Sequence, residues 1–116
     1  MRSPAERTET MIACHLLKAV EGWTDLGLGE FTLGYVRDKS KREVDFIVSR
    51  DGVPWFLVEA KNGDGTPSRN LEYFQGRLGA KNAFQVVMDA DYIDRDCFDY
   101  DYPVVVPART FLSQLL

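Results

Sequence analysis

The sequence lacks several features that mark whole classes of protein. Among 116 residues there are two cysteines, Cys14 and Cys97, and one histidine, too few for a disulfide framework or a cysteine-histidine metal knuckle. No apolar run approaches the roughly 20 residues that cross a bilayer. Residues 1–9 are charged and contain no apolar segment of the kind found in signal peptides. These absences predict a cytoplasmic protein with two free thiols and no membrane partner.

The negative charge is confined to one end of the sequence. The net charge is −4, yet residues 1–88 carry 12 acids and 12 bases, whereas residues 89–116 carry 6 acids and 2 bases. A nucleic acid needs positive surface, so we expect it to avoid the Asp-rich stretch 89–101. We expect it to approach instead from the side of four basic residues, namely Arg37, Lys41, Arg69 and Lys81.

The hydrophobic spacing predicts an α-β-β-β-α-β order followed by a short β-α pair. With 45% hydrophobic residues the chain can fill one core, so we expect one domain over 1–116, of mixed α/β class. The predicted elements are a helix over 4–23, strands over 31–37, 43–49 and 55–60, a helix capped by Thr66 or Ser68 that ends near Gly79, strands over 83–88 and 104–106, and a helix over 108–116.

Charged residues interrupt the hydrophobic pattern at informative positions. Asp45 lies inside an apolar strand, where an unpaired carboxylate is costly. Glu59 and Lys61 end a strand that is apolar on both faces and therefore central, which favours a cleft at that end of the sheet. Glu9 lies on the apolar stripe of the first helix. The alternative readings are a first-turn acid for Glu9 and a rim ion pair for Glu59 and Lys61.

The residue types at these positions suit metal-assisted hydrolysis of phosphodiesters. Oxygen ligands from Asp45 and Glu59, with room for water and phosphate, fit Mg²⁺ or Mn²⁺. Lys61 is placed to orient the attacking water or to stabilise negative charge on a phosphoryl oxygen. Because the two carboxylates repel each other, we expect a raised pKa for at least one of them in the absence of a cation.

The hairpin between the second and third strands decides whether these acids share a face. A two-residue turn with regular pairing would place Asp45 and Glu59 on opposite faces of the sheet. We therefore predict a three-residue loop over 50–52, which pairs Asp45 with Leu57 and Glu43 with Glu59. Glu43 is then a possible auxiliary acid of the site.

Glu9, the segment Glu43-Val44-Asp45-Phe46 and the segment Val58-Glu59-Ala60-Lys61, in this element order, resemble the PD-(D/E)XK nuclease superfamily and its restriction-endonuclease-like fold. The chain is most similar to the uncharacterised nuclease-like domain that follows the ATPase module in many predicted prokaryotic AAA-type ATPases. The resemblance implies that Asp45, Glu59 and the carbonyl of Ala60 hold the metal. It also implies that Lys61 is the catalytic lysine and Glu9 an auxiliary acid.

The resemblance carries further expectations about partners. It implies a nucleic-acid substrate, with DNA favoured, and a homodimer by analogy with enzymes that cut both strands. No phosphate-binding G-x-x-x-x-G-K-[ST] motif occurs, so an ATPase partner would lie on another part of the protein or on another chain. Gln75 lies near the position of a helical glutamine found in some relatives, although Gly79 replaces the tyrosine expected four residues later.

Two other function classes stay open at this point. In one, the domain is a catalytically inactive nuclease-fold module that serves an AAA-type ATPase as a docking or nucleic-acid-binding domain. In the other, it is a plain interaction domain with ion pairs at the sheet rim, which leaves the position of Asp45 unexplained.

Overall fold

The computed structural model describes residues 4–61, 67–88 and 91–115, without the side chains of residues 4–6. Within these ranges the protein has a mixed α/β fold of three α-helices and one five-stranded sheet. The elements are α1 (Pro4–Asp25), β1 (Phe31–Arg37), β2 (Glu43–Arg50), β3 (Val53–Lys61), α2 (Arg69–Leu78), β4 (Asn82–Val87), β5 (Val104–Pro107) and α3 (Ala108–Ser113). The predicted order of helices and strands is confirmed.

The sheet has the strand order β1-β2-β3-β4-β5. The first three strands pair antiparallel, and β3, β4 and β5 pair parallel. Phe56, Leu57 and Val58 of β3 are completely buried, because the sheet is covered on both faces. The apolar run in the sequence therefore marked the central strand correctly.

Two hydrophobic clusters cover the two faces of the sheet. The larger one joins the inner faces of α1 and α3 to alternate sheet residues, with Leu16, Phe56 and Phe111 fully buried in it. The smaller one joins α2 to the opposite face through Leu71 and Phe74. No helix in the described ranges combines the length and the apolarity needed to cross a membrane. Both cysteines are free thiols, as predicted.

The hairpin between β2 and β3 differs from the prediction. Arg50 pairs with Val53, so the turn has two residues, Asp51 and Gly52, both in the left-handed region with φ of 53° and 81°. Asp51 tolerates this conformation because it is bonded twice to Glu30: its side chain accepts from the Glu30 N–H at 2.8 Å, and its own N–H donates to the Glu30 carbonyl at 2.7 Å. The predicted three-residue loop is wrong.

The predicted pairing of Asp45 with Leu57 and of Glu43 with Glu59 is also wrong, because the extra residue lies inside a strand. Val48 pairs with Phe56 but Ser49 pairs with Pro54, which leaves Trp55 as a bulge in β3. Ile47 is consequently the partner of Leu57. The bulge shifts the register by one residue, in the direction opposite to the shift that the predicted three-residue loop would have given.

A second bulge lies in β2 at the candidate acid itself. Val36 pairs with Val44 and Gly34 pairs with Ile47, so Asp45 and Phe46 together face the single residue Tyr35. Val44 and Ile47 pack in the same cluster on the α2 side although they are three positions apart. Regular alternation would put them on opposite faces. Asp45 therefore lies where β2 changes its direction of side-chain alternation.

Two glycines, one inside α2 and one directly after its last residue, provide a matched test of the helix end. Gly79 ends α2 with φ 70°, and its N–H donates to the Gln75 carbonyl at 3.0 Å. Gly76 lies within the same helix, and an added Cβ meets no atom within 4 Å at either position. We expect Gly79→Ala to lower the free energy of unfolding by about 1 kcal/mol through backbone strain, and Gly76→Ala to raise it by about 1 kcal/mol. Urea denaturation measures both, and shifts in the same direction would contradict the assigned helix end.

Candidate functional site

A polar cavity of about 370 Å³ opens at the end of β3, between α1, β2 and α2. Its lining comprises Thr8, Glu9, Glu43, Asp45, Glu59, Ala60, Lys61 and Asn70. The structure thus brings together all the residues that the sequence assigned to catalysis or metal binding, and the auxiliary acid Glu43. Thr8 and Asn70 were missed, because nothing in their local sequence separates them from ordinary helix residues.

Asp45 is half-buried and held by the neighbouring strand. The Ala60 N–H donates a hydrogen bond to its Oδ2 at 2.9 Å. Burial raises the pKa of Asp45 to about 6, and the nearby carboxylates of Glu9 and Glu59 act in the same direction. The Ala60 hydrogen bond and the Lys61 ammonium oppose this rise only in part. The direction of this shift agrees with the prediction, but its largest cause is burial rather than repulsion between the two carboxylates.

Glu59 is buried and held from the opposite side, by the start of α2. The Ser68 hydroxyl donates to Oε2 of Glu59, and the same hydroxyl oxygen accepts from the Leu71 N–H at 3.2 Å, which caps the helix. The Ser68 N–H donates to Oε1 of Gln85 in β4 at 3.0 Å. Ser68 was one of the two predicted helix caps, and the other, Thr66, lies outside the described residues. The contact of Ser68 with Glu59 depends on tertiary packing and was not predicted. The helix N-terminus favours a negative charge at this place.

The remaining charged groups lie at the rim of the cavity. Glu9 is exposed, so it is not buried against the sheet, although it acts on the charge of Asp45. Lys61, the last residue of β3, is also exposed. Glu43 forms an ion pair with Arg37 at 2.9 Å, and both side chains are more than half exposed. Such an exposed pair contributes little to stability, so Glu43 remains available at the rim.

The donor set of the cavity fits a hard divalent cation. The hydrogen bonds described above involve Oδ2 of Asp45 and Oε2 of Glu59. Each carboxylate has a second oxygen whose lone pairs can be donated to a metal ion. In the part of the chain that the structure describes, no three acidic, histidine or cysteine side chains converge closely enough to hold an ion alone. A bound Mg²⁺ would therefore complete its shell with water, a backbone carbonyl or a phosphate oxygen, as this ion commonly does.

Two predicted residues do not reach this cavity. The amide of Gln75 is buried and donates to the carbonyls of Lys81 at 3.3 Å and Asp101 at 3.0 Å, so it fastens a loop to α2. Lys81 immediately precedes Asn82, which pairs with Phe56, whereas Lys61 pairs with Val87. Five residues of strand separate these positions, about 17 Å. Lys81 thus lies at the opposite end of the sheet, and its assignment to the approach face is wrong.

Three of the four predicted basic residues lie at the end of the sheet that carries the cavity. Arg37 ends β1, Lys41 lies in the turn before β2, and Arg69 begins α2 beside Asn70. All three are exposed. Arg42, in the same turn as Lys41, is instead bonded to Asp38 at 2.7 Å and stacks on Tyr73 at 3.8 Å. Its role is to fix the turn.

A second, mostly apolar cavity of about 310 Å³ runs along β5. Its described lining includes Tyr100, Tyr102 and Val105 but no carboxylate. It therefore offers hydrophobic contact rather than groups for acid-base or metal chemistry, and we assign the chemistry to the polar cavity.

The raised pKa of Asp45 predicts an unusual dependence of stability on pH. Because its folded-state pKa lies above the ordinary 3.8, folding becomes less favourable as the pH rises from about 4 to about 6. Asp45→Asn removes the charge and keeps an acceptor for the Ala60 N–H. In a buffer with chelator we expect this variant to be more stable than the native protein by about 1 kcal/mol at pH 8, allowing for screening by water, and equally stable at pH 4.

Urea denaturation at the two pH values measures this difference. Glu21→Gln, which neutralises an exposed acid on α1 away from the cavity, is the matched control. If the native protein were more stable than Asp45→Asn at pH 8 without metal, the account would be contradicted.

A known protein family matches most of the chain. The family described as "Domain of unknown function (DUF4143)" matches residues 6–109, which include every residue lining the polar cavity. No curated protein and no solved structure matches the chain. Since the match spans far more than half of the sequence, the chain belongs to the DUF4143 family, whose function is unknown.

Proposed function

We propose that this domain is a metal-dependent nuclease with a restriction-endonuclease-like fold, which hydrolyses phosphodiester bonds in the polar cavity. The observation that carries the proposal is the shared cavity: Asp45, Glu59 and Lys61, from two strands, line it together. The element order α-β-β-β-α-β, with Asp45 in β2 and Glu59 and Lys61 at the end of β3, supports the assignment to the PD-(D/E)XK superfamily.

Each residue has a distinct role in this proposal. Asp45 and Glu59 hold Mg²⁺ or Mn²⁺ with the carbonyl of Ala60, and Glu9 acts as an auxiliary acid from the rim. When bound, the ion lowers the pKa of a coordinated water and offsets charge on the phosphoryl oxygens. The Lys61 ammonium contacts a non-bridging oxygen of the scissile phosphate or orients the attacking water. Burial of Asp45 and Glu59 strengthens these interactions.

The charge distribution favours one approach for the substrate. Arg37, Lys41 and Arg69 are exposed at the cavity end of the sheet. The acidic connection from residue 91 to residue 101 carries five aspartates and one arginine, and it repels phosphate. We propose DNA as the substrate and an AAA-type ATPase module as a partner of the domain.

One observation favours a second candidate, a catalytically inactive module that docks on an ATPase or binds nucleic acid without cutting it. The Ala60 N–H and the Ser68 hydroxyl already satisfy one oxygen each of Asp45 and Glu59. The fold therefore holds the two acids in place without a cation.

Divalent ions should stabilise the native protein through the two carboxylates. At a tenfold excess over the dissociation constant, binding contributes about 1.4 kcal/mol, or about 5 °C in melting temperature. We expect this shift with Mg²⁺ or Mn²⁺ in the native protein and in Glu21→Gln, and its loss in Asp45→Asn and Glu59→Gln. In the same samples, cleavage of a panel of DNA and RNA substrates should require the metal.

Lys61→Ala separates binding from chemistry, because it removes a charge near the phosphate and leaves the metal ligands in place. We expect it to keep the melting shift and to lose at least a hundredfold in cleavage rate, whereas Lys18→Ala, which removes an exposed lysine on α1, should change neither. A metal shift without cleavage of any substrate would favour the inactive module. No metal response at all would contradict the nuclease proposal and leave either an inactive module that holds the two acids without a cation or simple ion pairs.

The direction of approach has its own test. Lys41→Glu places a negative charge at the cavity end, and Lys81→Glu places the same charge at the far end of the sheet. We expect the first to weaken salt-dependent DNA binding by roughly tenfold and the second to change it less than twofold. Equal effects of the two reversals, measured by fluorescence anisotropy at two salt concentrations, would show that the approach face is wrong.

A further inference from the structure

Tyr35 is exposed where the sequence pattern predicts burial. It alternates with Phe31 and Leu33 along β1, and these two pack in the large cluster on the α1 side. Tyr35 is nevertheless 82% exposed, the highest fraction among the large hydrophobic residues that the structure describes as exposed. Packing does not explain an aromatic ring left in water at this position.

The surroundings of Tyr35 connect it to the candidate site. A cavity of about 330 Å³ lies beside it, and three of the residues that line this cavity also line the polar cavity, namely Glu9, Glu43 and Asp45. The bulge in β2 sets Asp45 and Phe46 opposite Tyr35 on the neighbouring strand. The ring therefore stands on a wall that is continuous with the proposed metal site.

The strand that carries Tyr35 is accessible from outside. β1 is an edge strand of the sheet, and among the strands that the structure describes it pairs with β2 alone. Arg37, two residues further along, is exposed next to the same cavity, where it can contact a phosphate despite its pair with Glu43. An aromatic face followed by a cation along one edge is the combination by which proteins bind single nucleic-acid strands.

We infer that Tyr35 stacks on an unpaired base of the substrate strand, while a neighbouring phosphate of that strand enters the cavity of Asp45 and Glu59. This inference rests on the proposed function and narrows it: the substrate is a single strand, whose unpaired bases have accessible faces. Within an intact duplex both faces of each internal base are covered by their neighbours. Tyr35 thus selects against closed duplex.

The test measures binding separately from cleavage. Labelled 12-nucleotide oligo(dT) and oligo(U) and a 12-base-pair blunt duplex are titrated with protein by fluorescence anisotropy, with Ca²⁺ in place of Mg²⁺ to limit hydrolysis. We expect Tyr35→Ala to weaken single-strand binding about tenfold or more and duplex binding less than twofold. Tyr35→Phe, which keeps the ring, should bind like the native protein. Tyr92→Ala, which removes a tyrosine that is 53% exposed in the acidic connection, is the matched control.

Three results would overturn the inference. The first is unchanged single-strand binding by Tyr35→Ala, and the second is an equal loss of affinity for the duplex. The third is a change of oligomeric state in sedimentation with no change in binding, which would make Tyr35 a contact between copies of the chain. Parallel reactions with Mg²⁺ separate the two proposals. Tyr35-dependent binding without cleavage supports base stacking by Tyr35 and contradicts the proposed hydrolysis. Cleavage that is unaffected by Tyr35→Ala supports the proposed hydrolysis and contradicts base stacking by Tyr35.

Discussion

The removal of the carboxylates of Asp45 and Glu59 from water, at one end of the sheet, is the constraint on which the site depends. The fold counters it with the Ala60 N–H on Asp45 and with the Ser68 hydroxyl on Glu59, at the start of a helix. Lys61 adds a positive charge, yet burial still raises the pKa of Asp45 to about 6. The arrangement therefore costs stability at neutral pH in the absence of a cation. Proteins keep destabilising groups of this kind mainly where function requires them. The loss of stability at this end of the sheet is therefore consistent with the proposed chemistry.

The features that the sequence predicted well are those determined by local chemistry. The apolar run of β3 indicated a central strand, Ser68 caps α2 as its position suggested, and Gly79 ends that helix in the left-handed conformation. Asp45 was identified as a candidate site residue because burying a carboxylate in an apolar strand is energetically unfavourable wherever the strand lies in the sheet. Each of these inferences needs only the residue and its immediate neighbours along the chain.

The features that the sequence did not predict depend on pairing between distant segments. The extra residue that aligns β2 with β3 is Trp55 rather than part of the turn, because Asp51 and Gly52 form a stable two-residue turn of their own. Lys81 is near α2 in sequence, but the parallel pairing of β3 and β4 carries it to the far end of the sheet. The exposure of Tyr35 could not be predicted either. The alternation along β1 predicts on which face of the sheet the side chain lies, but not how far α1 covers that face.

The central claim is that Asp45 and Glu59 together bind a divalent cation. The most direct measurement is anomalous diffraction from crystals of the protein soaked in Mn²⁺. The account predicts a peak within about 2.0–2.4 Å of a carboxylate oxygen of Asp45 and of Glu59, with water completing the shell. A crystal that shows no peak in this cavity at saturating Mn²⁺, or a peak only in the acidic connection of residues 91–101, would contradict it.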